Sequence, residues 1–597
     1  MIRKYLLLCV AISFAFVVYG QEEQGTRNSF LTHSAFYSYP TESAALGDVR
    51  KTNPKYIEVT TWSYLTLKDK SKFTKSLLYG SIDTLVWKSV PRVNKASIAS
   101  DDKIVVYRAE ITLKKYAVFR EVYMSVGAAA SSSTIYVNGR EVGGSYDSKA
   151  TIEYDITEYL NEGLNNVAVV CSADASSIEA SSRLGIASEI DIYSKNKVHI
   201  LNISYVPTFP SSGDKALLEV QMTLKSHLLN KKAFRIEYKL LSQDGEVISR
   251  SFIDSDIDMR SSRNFPFLST IKDPKLWSPS SPYLYTMLFT LTQEGRVTEV
   301  VRQDVGLRDY ASNKDHIVAV TLTPNISYNK EEAQAEADLI RSVGINTIIS
   351  KSPMNDTYLT ACDKAGLYVV DMVNIDNSKS GNSLLVGGSF ANDPRWLENH
   401  KERVEHQLLQ HANHTSLAAW QLVGGGANGY NIYESYLHAK DLEKRVPILN
   451  SSAAGEWNSD SAASLFGGVV GAWVKGDMLN MEGALSEKSY KMMDTQSSVY
   501  VRAEDLTKGS FRITNNNAEP LGVGEVTYKM SVNDILIREG VVEDLVKANS
   551  FIIYTIAHYK DIPLPIQIKH SQQLRFGKTF KIEIFYKGAL VYSVKVQ

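Results

Sequence analysis

The sequence predicts a multi-domain, mostly β chain: two β-sandwich domains, then an α/β domain with a parallel sheet, then a further β-sandwich. Three observations lead there. Residues 61–200 and 201–311 alternate apolar and polar positions over short stretches separated by turn residues. After Asp315 the period changes, and apolar strands alternate with helical stretches through residue 486. From 487 to 597 the strand alternation returns.

The 597 residues correspond to about four domains at roughly 150 residues each. Lys+Arg (65) and Asp+Glu (66) nearly cancel, so no charge imbalance points to nucleic acid or to an anionic membrane surface. Tyrosine is abundant, at 33, against 16 prolines, and its main use is packing on half-buried strands.

The N-terminus has the pattern of an export signal over residues 1–20. Arg3 and Lys4 precede an apolar stretch from Tyr5 to Val18, and Val18-Tyr19-Gly20 places a cleavage site before Gln21. The apolar stretch is too short for a membrane span. Cys9 lies within it after Leu8, which does not fit a lipoprotein anchor. The expected location is therefore the periplasm or the cell exterior. No later run of about 18 apolar residues predicts a membrane span. Cys171 and Cys362 lie in separate segments and read as buried thiols rather than a disulfide. No Cys/His spacing fits a zinc site, and no cofactor is expected.

Residues 21–60 lack periodicity and read as a leader with little structure of its own. In the first sandwich, Tyr107–Leu113 and Thr151–Ile156 alternate, Asn165–Val170 is a strand, and Thr134–Val137 runs into the hairpin turn Asn138-Gly139. This is the pattern of an antiparallel sandwich or jelly roll. In the second, Ala216–Leu224, Phe234–Leu241 and Tyr283–Leu291 are strand-like, matching an immunoglobulin-like sandwich. The α/β part gives strands at Ile317–Leu322, Ile345–Ile349, Leu367–Val370 and Leu417–Val423. Its helices fall at Lys330–Val343, stopped by Gly344, at Thr357–Ala365, stopped by Gly366, and at Pro394–Gln410. Phe511–Thr514, Val526–Val532, Phe551–Ile556, Thr579–Tyr586 and Leu590–Val596 form the last sandwich.

Particular motifs then resemble glycoside hydrolase family 2, the family of β-galactosidases, β-glucuronidases and β-mannosidases. Trp87-Lys88-Ser89-Val90-Pro91, Tyr136-Val137-Asn138-Gly139-Arg140, Tyr154-Asp155-Ile156-Thr157 and Glu162-Gly163-Leu164-Asn165 resemble its sugar-binding jelly roll. Leu276-Trp277-Ser278-Pro279, Pro282-Tyr283-Leu284-Tyr285 and Val305-Gly306-Leu307-Arg308 resemble its immunoglobulin-like domain. Cys362–Val369, Asn413-His414-Thr415-Ser416 and Trp420 resemble parts of its TIM-like barrel, and Phe511–Asn515 the sandwich after it.

The resemblance implies two carboxyl groups about 5 Å apart, one protonating the leaving oxygen and one attacking the anomeric carbon. The family's acid/base is the Glu of WxxxNE after the fourth strand. Here that run is Trp420-Gln421-Leu422-Val423-Gly424-Gly425, so Gly425 stands at the acid/base position and Gly424 at the preceding Asn. In the segment that supplies an Arg and a His beside the sugar, Ile349 and Ser352 stand instead, and Met372 replaces the Glu after the third strand. The barrel (312–486) is also short of the ~250 residues an eight-fold barrel needs. Lys444–Leu449 resembles the fifth strand and Phe466–Trp473 the eighth, with no room between them for two βα units.

Two carboxylates remain as weak catalytic candidates. Glu456, beside Trp457, is either a relocated nucleophile or, as the plainer reading, a loop Glu. Asp371 is either a lone acid or a solvated or capping Asp. Trp420, Asn413, His414 and Trp473 are the candidate sugar contacts carried by the resemblance. His411 and His414 lack a third metal ligand and read as structural hydrogen-bonding residues. The expected function is that of a secreted, family 2-like protein of carbohydrate metabolism that has lost catalysis. It would bind an oligo- or polysaccharide or a glycan-handling protein complex. The alternative is an active β-galactosidase-like exo-glycosidase with a rebuilt site.

Overall fold

The computed structural model describes residues 30–47 and 57–596 with breaks, the longest at 114–119, 174–183, 311–316, 451–457, 462–468, 476–498 and 557–579. The two N-terminal sandwiches are as expected. In the first, strands 30–31, 152–155, 121–126 and 190–195 form one antiparallel sheet, and 88–90, 62–67, 104–113, 163–172, 132–137 and 140–145 the other. The predicted hairpin turn is present, with Asn138 and Gly139 both at positive φ (50° and 76°). The second packs a three-stranded sheet (198–208, 215–226, 262–272) on a five-stranded one (247–257, 232–241, 285–293, 296–305, 37–39).

The leader expectation needs correction. Phe30–Leu31 pairs with the jelly-roll strand 152–155, Tyr37–Tyr39 pairs with the edge strand 296–305, and Glu42–Leu46 is a helix capped by Thr41. Ser34 Oγ donates to Ile203 O (2.8 Å) and Ala35 N to Gln410 O (3.1 Å), so this segment straps three domains together. Its strands are two and three residues long and borrow their register from existing sheet edges. A stretch that short shows no periodicity of its own.

The α/β domain positions the site. Its elements are β1 (Ala319–Leu322), α1 (Lys330–Ser342), β2 (Thr347–Ser350), α2 (Asp356–Ala365), β3 (Tyr368–Met372), α3 (Leu397–His411), β4 (Leu417–Gln421), α4 (Tyr430–Leu442), β5 (Ile448–Leu449) and β6 (Val469–Ala472). The six strands are parallel in the order β5-β4-β3-β2-β1-β6. Local chemistry sets the helix ends. Asn329 and Glu332 form a capping box on α1, Asn355 caps α2, and Gly366 closes α2 at φ 73°. Val320, Ile348 and Val369 pack with Ala333, Ala337, Ile340, Leu359, Val404 and Leu408 of the helices. Each such aliphatic side chain contributes about 1.5–3 kcal/mol by leaving water. The helix α4 was not anticipated; Ile432, Ser435 and Ala439 face inward from an otherwise polar and aromatic sequence. Among the described residues β5 and β6 pair only with β4 and β1, which is the truncation expected from the short segment.

The last domain pairs strands 499–505, 510–515 and 550–555 in one sheet and 535–541, 526–532, 580–586 and 589–596 in the other. Cys171 and Cys362 are free, fully buried thiols, and burial raises both above the ordinary thiol range. Among the described residues no helix is long and apolar enough to cross a membrane.

Candidate active site at the barrel mouth

In a parallel barrel, chemistry is carried by the loops at the strand C-termini. Here the two central loops run side by side. Beyond β3, Val373 N donates to Gln421 O (2.9 Å), Gly424 N to Ile375 O (2.7 Å) and Asn377 N to Gly425 O (2.9 Å). Val373 and Ile375 are buried in the core, which fixes this loop against the end of β4.

The glycines make that contact possible. A Cβ on Gly424 would lie 2.9 Å from Met372 Sδ. A Cβ on Gly425 would lie 3.0 and 3.1 Å from the two carboxylate oxygens of Asp376. Gly426 has φ +95°, and its Cβ would meet the backbone of Asn377 at 2.6 Å. A Cβ at Gly425, the position that the resemblance matches to the acid/base, would therefore require the Asp376 carboxylate to shift by a few tenths of an ångström. Helix α3 holds the closing loop from below. The guanidinium of Arg403 donates to Asn374 O (2.7 Å), and the His400 ring lies 3.2 Å from the Asn377 amide oxygen. Burial keeps His400 neutral, with a pKa lowered to about 4.

Asp376 is half-buried and accepts hydrogen bonds from the backbone N–H (2.9 Å) and hydroxyl of Ser378. Sequence reading passed over it because its significance depends on Gly425, which is distant in sequence. Its carboxyl group supplies the three heavy atoms nearest to a Cβ at Gly425. A second feature, equally scattered in sequence, is an amide cluster. Asn428 Oδ1 accepts from Asn458 Nδ2 (2.6 Å) and Asn450 Nδ2 (3.2 Å) between the ends of β4 and β5.

The other candidates do not converge on this mouth. Asp371 is neither a free acid nor a solvated cap. It is fully buried and accepts from Met354 N (3.0 Å), Met372 N (2.9 Å) and Gln407 Nε2 (2.8 Å), with His411 Nδ1 at 3.2 Å. It ties β3 to α3 and to the β2 loop.

Trp420 is likewise fully buried and stacks on His411 (ring centroids 6.4 Å apart), so it offers no face to a sugar. Trp473 is 6% exposed, and its indole donates to Glu336 Oε1 (3.3 Å), whose other oxygen accepts from Tyr358. Both are core tryptophans.

Asn413 and His414 lie before β4, at the opposite end from the mouth, on the seam with the immunoglobulin-like domain. Asn413 Nδ2 donates to Ile203 O (2.8 Å), and Tyr205 OH donates to Asn413 O (2.8 Å). His414 sits between Asp363 (2.7 Å) and Asp356 (3.3 Å). Burial opposes its charge, but the two carboxylates prevail and raise it to about 10. Arg308 completes the seam by donating to Thr415 O and Leu417 O. His411 thus makes structural hydrogen bonds, and His414 does so in place of the sugar contact that the resemblance assigned to it. Glu456 lies outside the described residues.

Two sandwiches precede a parallel α/β domain, and comparison with known proteins makes this architecture specific. Residues 63–194 match the sugar binding domain of glycosyl hydrolases family 2, residues 198–308 match glycosyl hydrolases family 2, and residues 328–518 match that family's TIM barrel domain. The chain belongs to glycosyl hydrolases family 2. A beta-galactosidase of Priestia megaterium is 24% identical over 65% of this chain and 37% of its own, and one of Pseudoalteromonas haloplanktis 23% over 60% and 36%. The chain thus spans well under half the length of these curated relatives. In fold it is similar to the Bacteroides uniformis beta-glucuronidase (TM-score 0.62, 13% identity, 91% of this chain and 80% of that one). A putative beta-galactosidase from Bacteroides fragilis is similar too (TM-score 0.62, 13% identity, 90% and 97%).

Proposed function

We propose that this protein is an exported, non-hydrolytic member of the family that acts by binding carbohydrate, alone or within a glycan-handling complex. The observation that carries the reading is the crowding at Gly425: the Asp376 carboxyl lies where a side chain would begin, on a loop that Arg403 and His400 hold to α3. Retaining hydrolysis needs a carboxyl pair about 5 Å apart, and an inverting mechanism one about 6.5–9.5 Å apart. The atoms nearest a Cβ at Gly425 all belong to one carboxylate, Asp376, with no second carboxylate among them. Export rests on the N-terminal pattern, and sequencing the N-terminus of the exported protein is expected to read from Gln21.

One observation favours the rebuilt-site reading. Asp376 presents its carboxylate at the lost acid/base position, where it could act as the acid if Glu456 supplied a nucleophile. Incubation with chromogenic β-galactosides, β-glucuronides and β-mannosides separates the two. No turnover above the buffer rate, together with saturable binding of oligosaccharide by calorimetry, is the expected result. Turnover abolished by both Asp376→Asn and Glu456→Ala would refute the non-hydrolytic reading.

A further inference from the structure

Away from the barrel, the seam between the jelly roll and the immunoglobulin-like domain gathers three potential ligands from distant parts of the chain. Glu121 opens the strand 121–126, Asp155 ends the strand 152–155, and His227 follows the strand 215–226 of the other domain. One ligand atom from each lies within 4.8 Å of the other two.

The Lys197 ammonium, 3.6 Å from Glu121, is the cation this group faces in the structure. Glu121 is 5% exposed, yet among the described residues nothing donates a hydrogen bond to its carboxylate. His227 Nδ1 stands 3.7 Å from it and the Lys197 ammonium 3.6 Å, both beyond hydrogen-bond length. Asp155 takes both hydrogen bonds from Thr157 on Oδ1, which leaves Oδ2 without a donor among the described residues. The His227 ring stacks on His199 (centroids 5.5 Å apart, 17° between planes). The two carboxylates bear like charges within 4.8 Å of each other, and a cation bound between them and the His227 ring would offset that repulsion.

We infer that Glu121, Asp155 and His227 form a divalent-cation site of the zinc class that clamps the first two domains together. An imidazole beside carboxylates favours zinc-like ions over magnesium or calcium, which prefer all-oxygen sets. Tetrahedral ligands about 2.1 Å from a metal lie roughly 3.4 Å apart, so side-chain rotation of about 1 Å closes the present spacing. Lys197 is 38% exposed and flexible enough to swing into solvent when the cation enters. The ligands are too widely spaced in sequence to form a recognisable metal motif.

The test uses the untagged mature chain, stripped with chelator and titrated with ZnCl2, CaCl2 or MgCl2. Zinc is expected to bind at about one equivalent and to raise the melting temperature by several degrees, since binding to the folded state alone stabilises it. His227→Gln and Glu121→Gln should each weaken zinc binding at least tenfold, with His438→Gln as the control. Absence of a zinc-dependent shift, an equal response to calcium or magnesium, or full binding in both variants overturns the inference. Crystals soaked in ZnCl2 give a readout that does not depend on the variants folding. An anomalous peak among the three side chains supports the site, and a peak only elsewhere overturns it.

Discussion

Restoring a glutamate at position 425 tests whether the acid/base position is merely unfilled or physically closed. The Cβ alone would lie 3.0–3.2 Å from the Asp376 carboxyl atoms, so Asp376 must yield by a few tenths of an ångström even for alanine. Overpacking of this kind costs about 1 kcal/mol. Glutamate adds a second negative charge. Two unit charges about 4 Å apart repel by roughly 1 kcal/mol in water and roughly 4 kcal/mol near a protein surface. Asp376 is only half-buried, so solvent screening places the extra cost near 2 kcal/mol.

The expected order of stability is therefore wild type, then Gly425→Ala lower by about 1 kcal/mol, then Gly425→Glu lower by about 3 kcal/mol. Combining Gly425→Glu with Asp376→Ala should recover most of the charge part. Urea unfolding followed by tryptophan fluorescence, to which the buried Trp420 and Trp473 of the barrel contribute, reads the difference between variants. A Gly425→Glu protein as stable as wild type would show that the loop does not close the position. Turnover of a chromogenic glycoside by that variant would show that only the missing carboxylate prevents catalysis.

Three further outcomes follow from the geometry. Asp371→Ala leaves several buried donors without a partner and should destabilise the barrel by about 3–5 kcal/mol; a smaller loss in urea unfolding, with binding abolished, would restore Asp371 as a functional acid. His414 is held at about 10 against an ordinary 6.5, so its charge stabilises the fold fully below about pH 6.5 and loses that contribution as pH rises through 10; the stability gap between wild type and His414→Gln should shrink over this window in pH-dependent unfolding, and a gap that widens refutes the ion-pair account. Cys171 and Cys362 should be inert to a thiol reagent in the native chain and both react in denaturant, and labelling of either under native conditions would contradict their burial.

The domain order and most barrel elements were legible in the sequence because period, caps and glycine stops act locally. Asn329, Asn355 and Gly366 mark the ends of α1 and α2 where the sequence places them, within a residue or two. The leader strands were not legible, because Tyr37–Tyr39 takes its conformation from the strand 296–305 rather than from its own pattern. The sugar-contact candidates failed for a related reason. A tryptophan or histidine next to a barrel strand can face the cleft, the core or the domain seam, and sequence position alone does not choose. Burial chooses the core for Trp420 and Trp473. Hydrogen bonds to Ile203, Asp356 and Asp363 choose the seam for Asn413 and His414.

The same argument explains why Gly424, Gly425 and Gly426 are best understood together. A lost catalytic residue in an otherwise open cleft leaves a hole that a single substitution could refill. Here three successive glycines allow the β3 loop to lie against the end of β4, with backbone hydrogen bonds at Gly424 and Gly425 and with an Asn377 backbone contact that excludes a Cβ at 426. Arg403 and Asp371, both buried, fix the two ends of that loop to α3. Reopening the acid/base position therefore requires moving a loop whose supports lie in the barrel core. On the proposed reading, Gly425 is one part of a packed strand end, and a glutamate placed there alone is opposed by its neighbours.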